Sequence, residues 1–401
     1  MMMAVTASAQ VAPTDQMISA KLTAFPRPKL VQQSYKTTGR PTEALGTPDG
    51  KYVLVTVDVP GGSGIDVFRD SGETLERVAF QRLGPERAHG IVLLPKTRTL
   101  AVGLSNAGVA FLPLDDVLLG TAKLKVLPQG DRAGSGYLAA TPDGRFLFVA
   151  NEYGEGGNLG VIALNPDDTG ELHPRMLAHI RTPNTVEGLA ISADGTRLYT
   201  AGEVVSPDSA GKLPGHRNAE QGRKTCAQGI GEASLPNGAL YAIDVAKATT
   251  LEKGSTAEQA RAAVVAVVDA GCSPVGEAVS ANGAAVYVTA RGDDRVLVFN
   301  AKTLEKNPGH ALMHAFAAEG AAPAGLLLFD GGKSLLVANS NRFVDGPGSL
   351  AVFDLSDAGK PVLRESIETG KLPRRITASA DGETLYLTVF SGNELMVLRA
   401  Q

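Results

Sequence analysis

The chain has 401 residues, of which 43 % are hydrophobic, and its formal net charge is −4, from 38 basic and 42 acidic residues. This balance gives no electrostatic footprint for nucleic acid, and the longest clean apolar stretch, residues 262–268, is far shorter than the ~20 residues that a membrane span needs. The 46 glycines and 23 prolines are too few for a collagenous or low-complexity chain and fit a fold with many turns.

The N-terminal segment contains Ala7-Ser8-Ala9, a small-x-small sequence of the kind that signal peptidase cleaves. The apolar stretch before it is short and lacks a basic start. We therefore interpret residues 1–28 as the remnant of a secretory signal with an N-terminal extension, the alternative being an unstructured Ala/Ser-rich start. Export predicts a periplasmic or secreted protein, with which the chain's two cysteines are compatible.

An internal repeat dominates the sequence after residue 29. Each copy has an apolar strand, a turn of the Asp-Gly type and a second apolar strand, as in residues 47–55 and 141–149. The first turn residue falls at positions 49, 96, 143, 194, 282, 331 and 381. Asp-Gly between apolar runs predicts a two-residue hairpin turn in which both residues take positive φ. Further strands follow most copies, and four short antiparallel strands every ~40–50 residues are typical of a β-propeller blade.

The spacing between the turns at 194 and 282 is nearly twice the others. It admits either an eighth blade opening at residues 236–239 or a single blade with a long insertion. Residues 203–230 hold no pair of apolar strands with which to complete another blade. We therefore predict seven blades, with a lid-like insertion at about residues 203–237.

The two ends of the repeat array are complementary. The last copy stops after its third strand, residues 395–398, and residues 29–36 form a strand without a partner ahead of the first copy. Open sheet edges are a liability. The sequence therefore predicts an all-β fold, a seven-bladed β-propeller of four-stranded antiparallel blades closed by an N-terminal strand that completes the last blade. Residues 29–401 form one domain, and we expect a monomer.

The Ser/Thr-Pro/Ala-Asp-Gly turns and the strands that follow them carry a family resemblance. Residues 148–151 (Phe-Val-Ala-Asn) and 336–339 (Leu-Val-Ala-Asn) are similar to the strands of YVTN-repeat and lactonase-like seven-bladed propellers. The resemblance covers nearly all of the chain after residue 29. It implies the propeller fold, and a function among lactonases, lactonizing enzymes and non-catalytic surface or periplasmic proteins. No catalytic motif of the family matches residue by residue.

Equivalent positions of the repeat predict a polar site at the central opening. The innermost strand of a blade begins, and the second strand ends, on one face of the ring, which we call the top face. Residues six or seven before each turn, or nine after it, therefore converge there. The acid–base candidates are His89, Glu187 and Tyr137. The candidates for ligand binding are Glu43, Arg375, Arg291, Glu152 and Glu203, together with Glu277, which lies close to the counted position Val275.

These residue types favour a small anionic ligand. Histidine and carboxylates support general acid–base catalysis, arginine binds carboxylates in bidentate fashion, and paired carboxylates also admit a divalent cation. We expect an exported enzyme acting on a small oxygenated ligand, with lactone hydrolysis implied by the resemblance. The alternative is a non-catalytic propeller that binds a partner protein or a ligand.

The two cysteines lie in segments that the repeat places close together. Cys226 belongs to the insertion of the fourth blade and Cys272 to the loop that enters the fifth blade, both on the top face. We therefore predict a disulfide bond between them that pins the lid-like insertion.

Overall fold

The computed structural model describes residues 30–152, 158–167, 169–182, 184–205, 238–342, 344–356 and 361–400. Within these residues 29 strands form seven antiparallel sheets, so the predicted seven-bladed propeller is confirmed. The innermost strands of neighbouring sheets contact one another around the ring, and the seventh blade returns to the first.

Strand β1 (Leu30–Lys36) precedes the first blade. The first blade consists of β2 (Arg40–Gly46), β3 (Tyr52–Val59), β4 (Gly62–Asp70) and β5 (Leu75–Gly84). The second consists of β6 (Ala88–Leu94), β7 (Thr99–Leu104), β8 (Gly108–Pro113) and β9 (Lys125–Leu127). The third consists of β10 (Ser135–Ala140), β11 (Phe146–Asn151), β12 (Asn158–Ala163) and β13 (Arg175–Arg181).

The fourth blade has a divided inner strand and consists of β14 (Asn184–Val186), β15 (Ala190–Ile191), β16 (Arg197–Val205), β17 (Ala239–Asp244) and β18 (Val264–Asp269). The fifth consists of β19 (Pro274–Val279), β20 (Ala285–Ala290), β21 (Arg295–Asn300) and β22 (Leu312–Ala317). The sixth consists of β23 (Pro323–Phe329), β24 (Ser334–Asn339), β25 (Ser349–Asp354) and β26 (Val362–Glu368). The seventh consists of β27 (Pro373–Ala378), β28 (Thr384–Val389) and β29 (Glu394–Ala400), with β1 as its outer strand.

Short helices connect some of these strands. They are α1 (Leu114–Leu118), α2 (Val245–Thr249), α3 (Ala257–Arg261) and α4 (Ala301–Lys306), with 3-10 turns at Pro308–His310, Asp330–Gly332 and Phe390–Gly392. None of the helices in the described ranges is long and apolar enough to cross a membrane.

The core lies between the blades. In the first blade, β3 buries five successive residues from Val53 to Val57, and in the third blade β11 buries five from Leu147 to Asn151. Because sheets pack on both faces of each central strand, both sets of alternating side chains are buried, and the two runs are apolar except for Thr56 and Asn151. The outer strand β26 is mostly exposed.

The N-terminal strand closes the ring as predicted. Strand β1 pairs antiparallel with β29 along its whole length, with Tyr35 opposite Leu395 and Gln32 opposite Leu398. The backbone groups of β29 are thereby paired within the chain, and β1 takes the outer position that the fourth strand has in the other blades.

The five Asp-Gly or Asn-Gly turns differ from the predicted two-residue hairpin, because only their glycine takes a positive φ. At the first copy Gly50 takes a φ of +68°, whereas Asp49 does not take a positive φ. The Gly50 amide donates to the Thr47 carbonyl at 2.9 Å, and the Thr47 hydroxyl donates to Asp49 Oδ1 at 2.6 Å. The Asp49 side chain thus stabilises the turn by accepting a local hydrogen bond, and only the glycine takes a positive φ.

Candidate functional site

Local breaks in strand register position the side chains of the central opening. The pairing of β6 with β7 shifts between Ala88 and Ile91, around His89. The same shift occurs in β10 around Tyr137, and in β27 around Arg374 and Arg375. A bulge turns a side chain away from the regular alternation of a strand. Side chains that the regular alternation would turn towards a neighbouring blade can therefore face the central opening.

Four of the predicted site residues lie around one cavity at the top face, the central cavity. Its volume is about 20 Å³, which is room for about one water molecule. The residues that line it are His89, Gly136, Tyr137, Glu152, Val186, Glu187 and Arg374.

Glu187 is an ionised carboxylate in this cavity. Burial raises the pKa of Glu187, but the positive charges of Arg291, Arg374 and Arg342 outweigh this effect, so that the net shift is downward. Arg291 is buried, and desolvation lowers its pKa to about 10, which still leaves it charged at neutral pH. The site therefore holds a carboxylate surrounded by guanidinium groups.

His89 is a neutral imidazole at neutral pH. Burial, and after it the charge of Arg374, lower the pKa of His89 to about 4, while the Asp58 carboxylate acts in the opposite direction. Its Nε2 lies 3.1 Å from Ser105 Oγ. A neutral imidazole next to a hydroxyl can accept a proton from it.

Glu43 and Arg375 lie next to this cavity as partners of one another. Arg375 Nε is 3.4 Å from Glu43 Oε1, and Glu43 Oε2 accepts a hydrogen bond from the Ile91 amide at 2.9 Å. The Arg375 guanidinium also stacks over the Tyr137 ring at 3.9 Å. Both charges are therefore engaged within the protein, and neither residue lines the cavity.

Glu277 is a buried carboxylic acid with an unusual environment. It is 7 % exposed, and among the residues that the structure describes neither carboxyl oxygen has a hydrogen-bond partner. Burial raises the pKa of Glu277 to about 8, against the opposing charge of Arg375. The group packs on Gly188, where a Cβ atom would lie 2.4 Å from Glu277 Oε2. Glu277 is therefore mostly protonated at neutral pH.

Several predicted features fall outside the described residues. They are most of the lid-like insertion, at residues 206–237, the side chain of Glu203, and Cys226. Cys272 is buried, and its bond to Cys226 stays a prediction. Within the described ranges no group of three or more His, Cys, Asp and Glu side chains is placed to hold a metal ion.

Counting from the turns places Arg374 and Ser105 at the top face, but it assigned a role to neither of them, nor to Arg342. Arg374 precedes Arg375 in the bulge of β27, and a bulge sets two residues opposite one, so either side chain can face the opening. Ser105 is nine residues after the second turn, the repeat position that predicted Glu152 and Arg291 in other blades. That position was the available signal. Arg342 lies in the loop after β24 and had no such signal.

Comparison with known proteins supports the fold. No protein-family model and no curated protein matches the chain. Among solved structures, the beta-propeller domain of Cps50 (Swd1) from Myceliophteria thermophila matches with a TM-score of 0.61 and 12 % identity, covering 94 % of this chain and 100 % of that domain. The chain shares a propeller fold. At this identity the likeness shows no more than that, and the resemblance to YVTN-repeat and lactonase-like propellers is not confirmed.

Proposed function

We propose that the chain binds a small carboxylate-bearing lactone or ester at the top face and hydrolyses it. The observation that carries the proposal is the state of Arg374. It lines the central cavity and stacks on the Phe390 ring at 5.2 Å, yet among the described residues its guanidinium makes no hydrogen bond or ion pair. Planar guanidinium donors in a cleft are suited to a carboxylate acceptor.

The charges around the cavity favour the same ligand class. Arg291, Arg342 and Arg374 surround Glu187, and Glu152 is the second carboxylate there. The Asp58 carboxylate also acts on Arg374, and His89 adds no charge because it is neutral at neutral pH. A bound carboxylate would give the Arg374 guanidinium a direct hydrogen-bond partner.

The cavity offers both proton acceptors and hydrogen-bond donors for the hydrolytic step. Neutral His89 and ionised Glu187 can each accept a proton as a nucleophile attacks the carbonyl carbon. The Tyr137 hydroxyl and the Arg374 guanidinium line the same cavity and can donate hydrogen bonds to the developing oxyanion. The resemblance to lactonase-like propellers favours a lactone as the substrate.

A matched pair of probes tests the proposal. A γ-butyrolactone carrying a carboxylate and its uncharged methyl ester differ by one charge, and calorimetry and ring-opening assays would measure binding and turnover of each. We expect the acid to bind and open, and Arg374→Gln to weaken its binding by roughly 10–100-fold, as for a lost charged hydrogen bond. Arg40→Gln is the control, because Arg40 stacks on the same Phe390 ring at 5.6 Å and does not line the cavity. Equal binding of acid and ester, or equal effects of the two variants, contradicts the proposal.

A non-catalytic binding role is the second candidate, and the cavity volume favours it. A space of about 20 Å³ holds a water molecule but not a lactone ring. In this role the ligand sits above the cavity and only its carboxylate reaches Arg374. Binding of the acid probe that depends on Arg374, without ring opening, is the result that distinguishes this role from hydrolysis.

We also propose that the protein is exported to the periplasm or secreted. The small-x-small sequence ending at Ala9 and the pair of cysteines support this location. Fractionation of the cells that produce the protein, with mass analysis of its N-terminus, tests the proposal. Export predicts a mature chain starting at Gln10, and protein that retains residues 1–9 in the cytoplasmic fraction contradicts it.

A further inference from the structure

We propose that Ser105 is a covalent nucleophile activated by His89, an inference that rests on the proposed hydrolytic function. The geometric basis is a side-chain pair, since His89 Nε2 lies 3.1 Å from Ser105 Oγ. Among the described residues the Ser105 hydroxyl has no other hydrogen-bond partner, whereas the serine at the equivalent position of the sixth blade, Ser340, donates to the Ala322 carbonyl at 2.7 Å. Nucleophile and base within hydrogen-bond reach are the signature of nucleophilic catalysis.

A third group, which is charged, acts on His89 in this pair. The Asp58 carboxylate favours the protonated form of His89. Asp58 Oδ2 accepts from Arg87 Nε at 2.9 Å, while its Oδ1 is buried and has no hydrogen-bond partner among the residues that the structure describes. Asp58 therefore favours the imidazolium that forms when His89 takes a proton, against the smaller opposing effect of Arg87.

Binding of the ligand would strengthen the base. Arg374 disfavours the protonated form of His89. A ligand carboxylate paired with Arg374 offsets that positive charge at the moment when His89 must accept a proton. Arg374, which would bind the ligand carboxylate, thus also couples ligand binding to the activation of Ser105.

The two chemical steps balance. Ser105 Oγ bonds to the carbonyl carbon while its proton passes to His89 Nε2, and the ring carbon–oxygen bond then breaks as His89 returns the proton to the leaving alkoxide. Water next attacks the acyl carbon and gives its proton to His89, and the bond to Ser105 Oγ breaks as His89 returns that proton to the serine oxygen. The net reaction consumes one water and yields the hydroxy acid.

A sulfonyl fluoride tests nucleophilicity without needing the natural substrate. We would treat the full-length protein with methanesulfonyl fluoride and locate the adduct by peptide mass spectrometry. Sulfonylation should occur at Ser105 with loss of fluoride, and His89→Ala should slow it by about 10²-fold or more. Ser340→Ala is the matched control, since Ser340 has the same repeat position but bonds to a carbonyl, and it should leave labelling of Ser105 unchanged.

Turnover assays distinguish the proposed hydrolysis from the proposed role of Ser105. Turnover of the carboxylate lactone by the wild type, with a loss of about 10³-fold in Ser105→Ala, supports the nucleophile. Turnover that persists in a folded Ser105→Ala variant overturns the role of Ser105 but leaves hydrolysis standing. If the wild type turns over no probe, the proposed hydrolysis fails, and labelling still decides whether Ser105 is an activated serine. Absence of label at Ser105 in the wild type overturns the nucleophile proposal.

Discussion

Arg399 in β29 contacts Asp70 at the end of β4, and its Nη2 lies 2.8 and 2.9 Å from the two carboxylate oxygens. This contact joins the last blade to the first, at the seam that β1 closes. Only 7 % of the Asp70 side chain and 17 % of the Arg399 side chain is exposed, so each charge depends on the other for solvation. The seam is therefore held by a mostly buried ion pair, which we call the polar lock, in addition to its strand pairing.

Replacement of Arg399 by Gln should destabilise the propeller. The substitution leaves the buried Asp70 carboxylate without its charged partner, and we expect the free energy of unfolding to fall by about 1.5–3 kcal/mol. Urea unfolding would measure the change as a lower midpoint with an unchanged slope. Lys36→Gln is the control, because Lys36 pairs with Glu394 at the same seam but is 75 % exposed, and it should cost less than about 1 kcal/mol. Equal costs for the two variants contradict the lock.

Two turn glycines should respond differently to alanine. Gly50 and Gly144 take φ of +68° and +67°, and a Cβ atom on Gly50 meets nothing within 4 Å, whereas one on Gly144 lies 3.0 Å from the Pro95 carbonyl oxygen. Gly50→Ala should cost about 1–2 kcal/mol from backbone strain alone, and Gly144→Ala about 1 kcal/mol more from crowding. Gly309→Ala is the control, since Gly309 has open space and no positive φ. Chemical denaturation that ranks the three otherwise rules out this explanation.

The fold was predictable from the sequence because it depends on a repeated local signal. The turn motif recurs in register, and the strand missing from the last copy is supplied by residues 30–36, which explains why ring closure was predicted correctly. The turn geometry was wrong because the Asp49 side chain closes the turn in a way that the dipeptide alone does not specify.

The site was less predictable because it depends on contacts between blades. Counting from the turns placed His89 and Glu187 at the cavity. Counting did not indicate that Arg375 pairs with Glu43, because that contact joins the seventh blade to the first. Nor did it indicate that Arg374 is the arginine that faces the cavity, since the bulge of β27 decides which side chain faces the opening.

Glu277 should make stability depend on pH. Its pKa is raised from 4.5 to about 8 in the folded protein, so the folded state binds more protons than the unfolded state between these values. Stability contributed by the protonated form is therefore complete below the unfolded pKa and is lost as pH rises through the folded pKa. We expect the wild type to lose on the order of 2–4 kcal/mol between pH 5 and 8 relative to Glu277→Gln.

Urea unfolding at several pH values measures this difference in slope. The glutamine variant is nearly isosteric and does not titrate, so the comparison isolates residue 277 from other groups. Glu365→Gln, on the exposed outer strand β26, is the control and should follow the wild type. Parallel stability curves for the wild type and Glu277→Gln contradict a protonated Glu277.

The predicted Cys226–Cys272 bond should stabilise the chain. In the chain-entropy model, closing a loop of about 45 residues contributes roughly 3–4 kcal/mol. Peptide mapping of non-reduced protein should show the linked pair, and reduction or Cys272→Ser should lower the melting temperature. Two alkylatable thiols in protein purified under oxidising conditions contradict the bond.

His89 should stay unprotonated far below the usual range of histidine. Burial and Arg374 lower its pKa to about 4, so the base form persists down to about pH 5. If His89 is the catalytic base, kcat/KM for the carboxylate lactone should be flat from pH 7 to pH 5, without the acid limb near pH 6.5 that an ordinary histidine gives.

NMR titration of the imidazole, assigned by comparison with His89→Gln, measures the same property without requiring activity. Arg374→Gln should move this titration to higher pH because a nearby positive charge is removed, whereas Arg40→Gln should leave it unchanged. An inflection of the wild-type His89 signal near pH 6.5 contradicts both the buried, neutral imidazole and the electrostatic role assigned to Arg374.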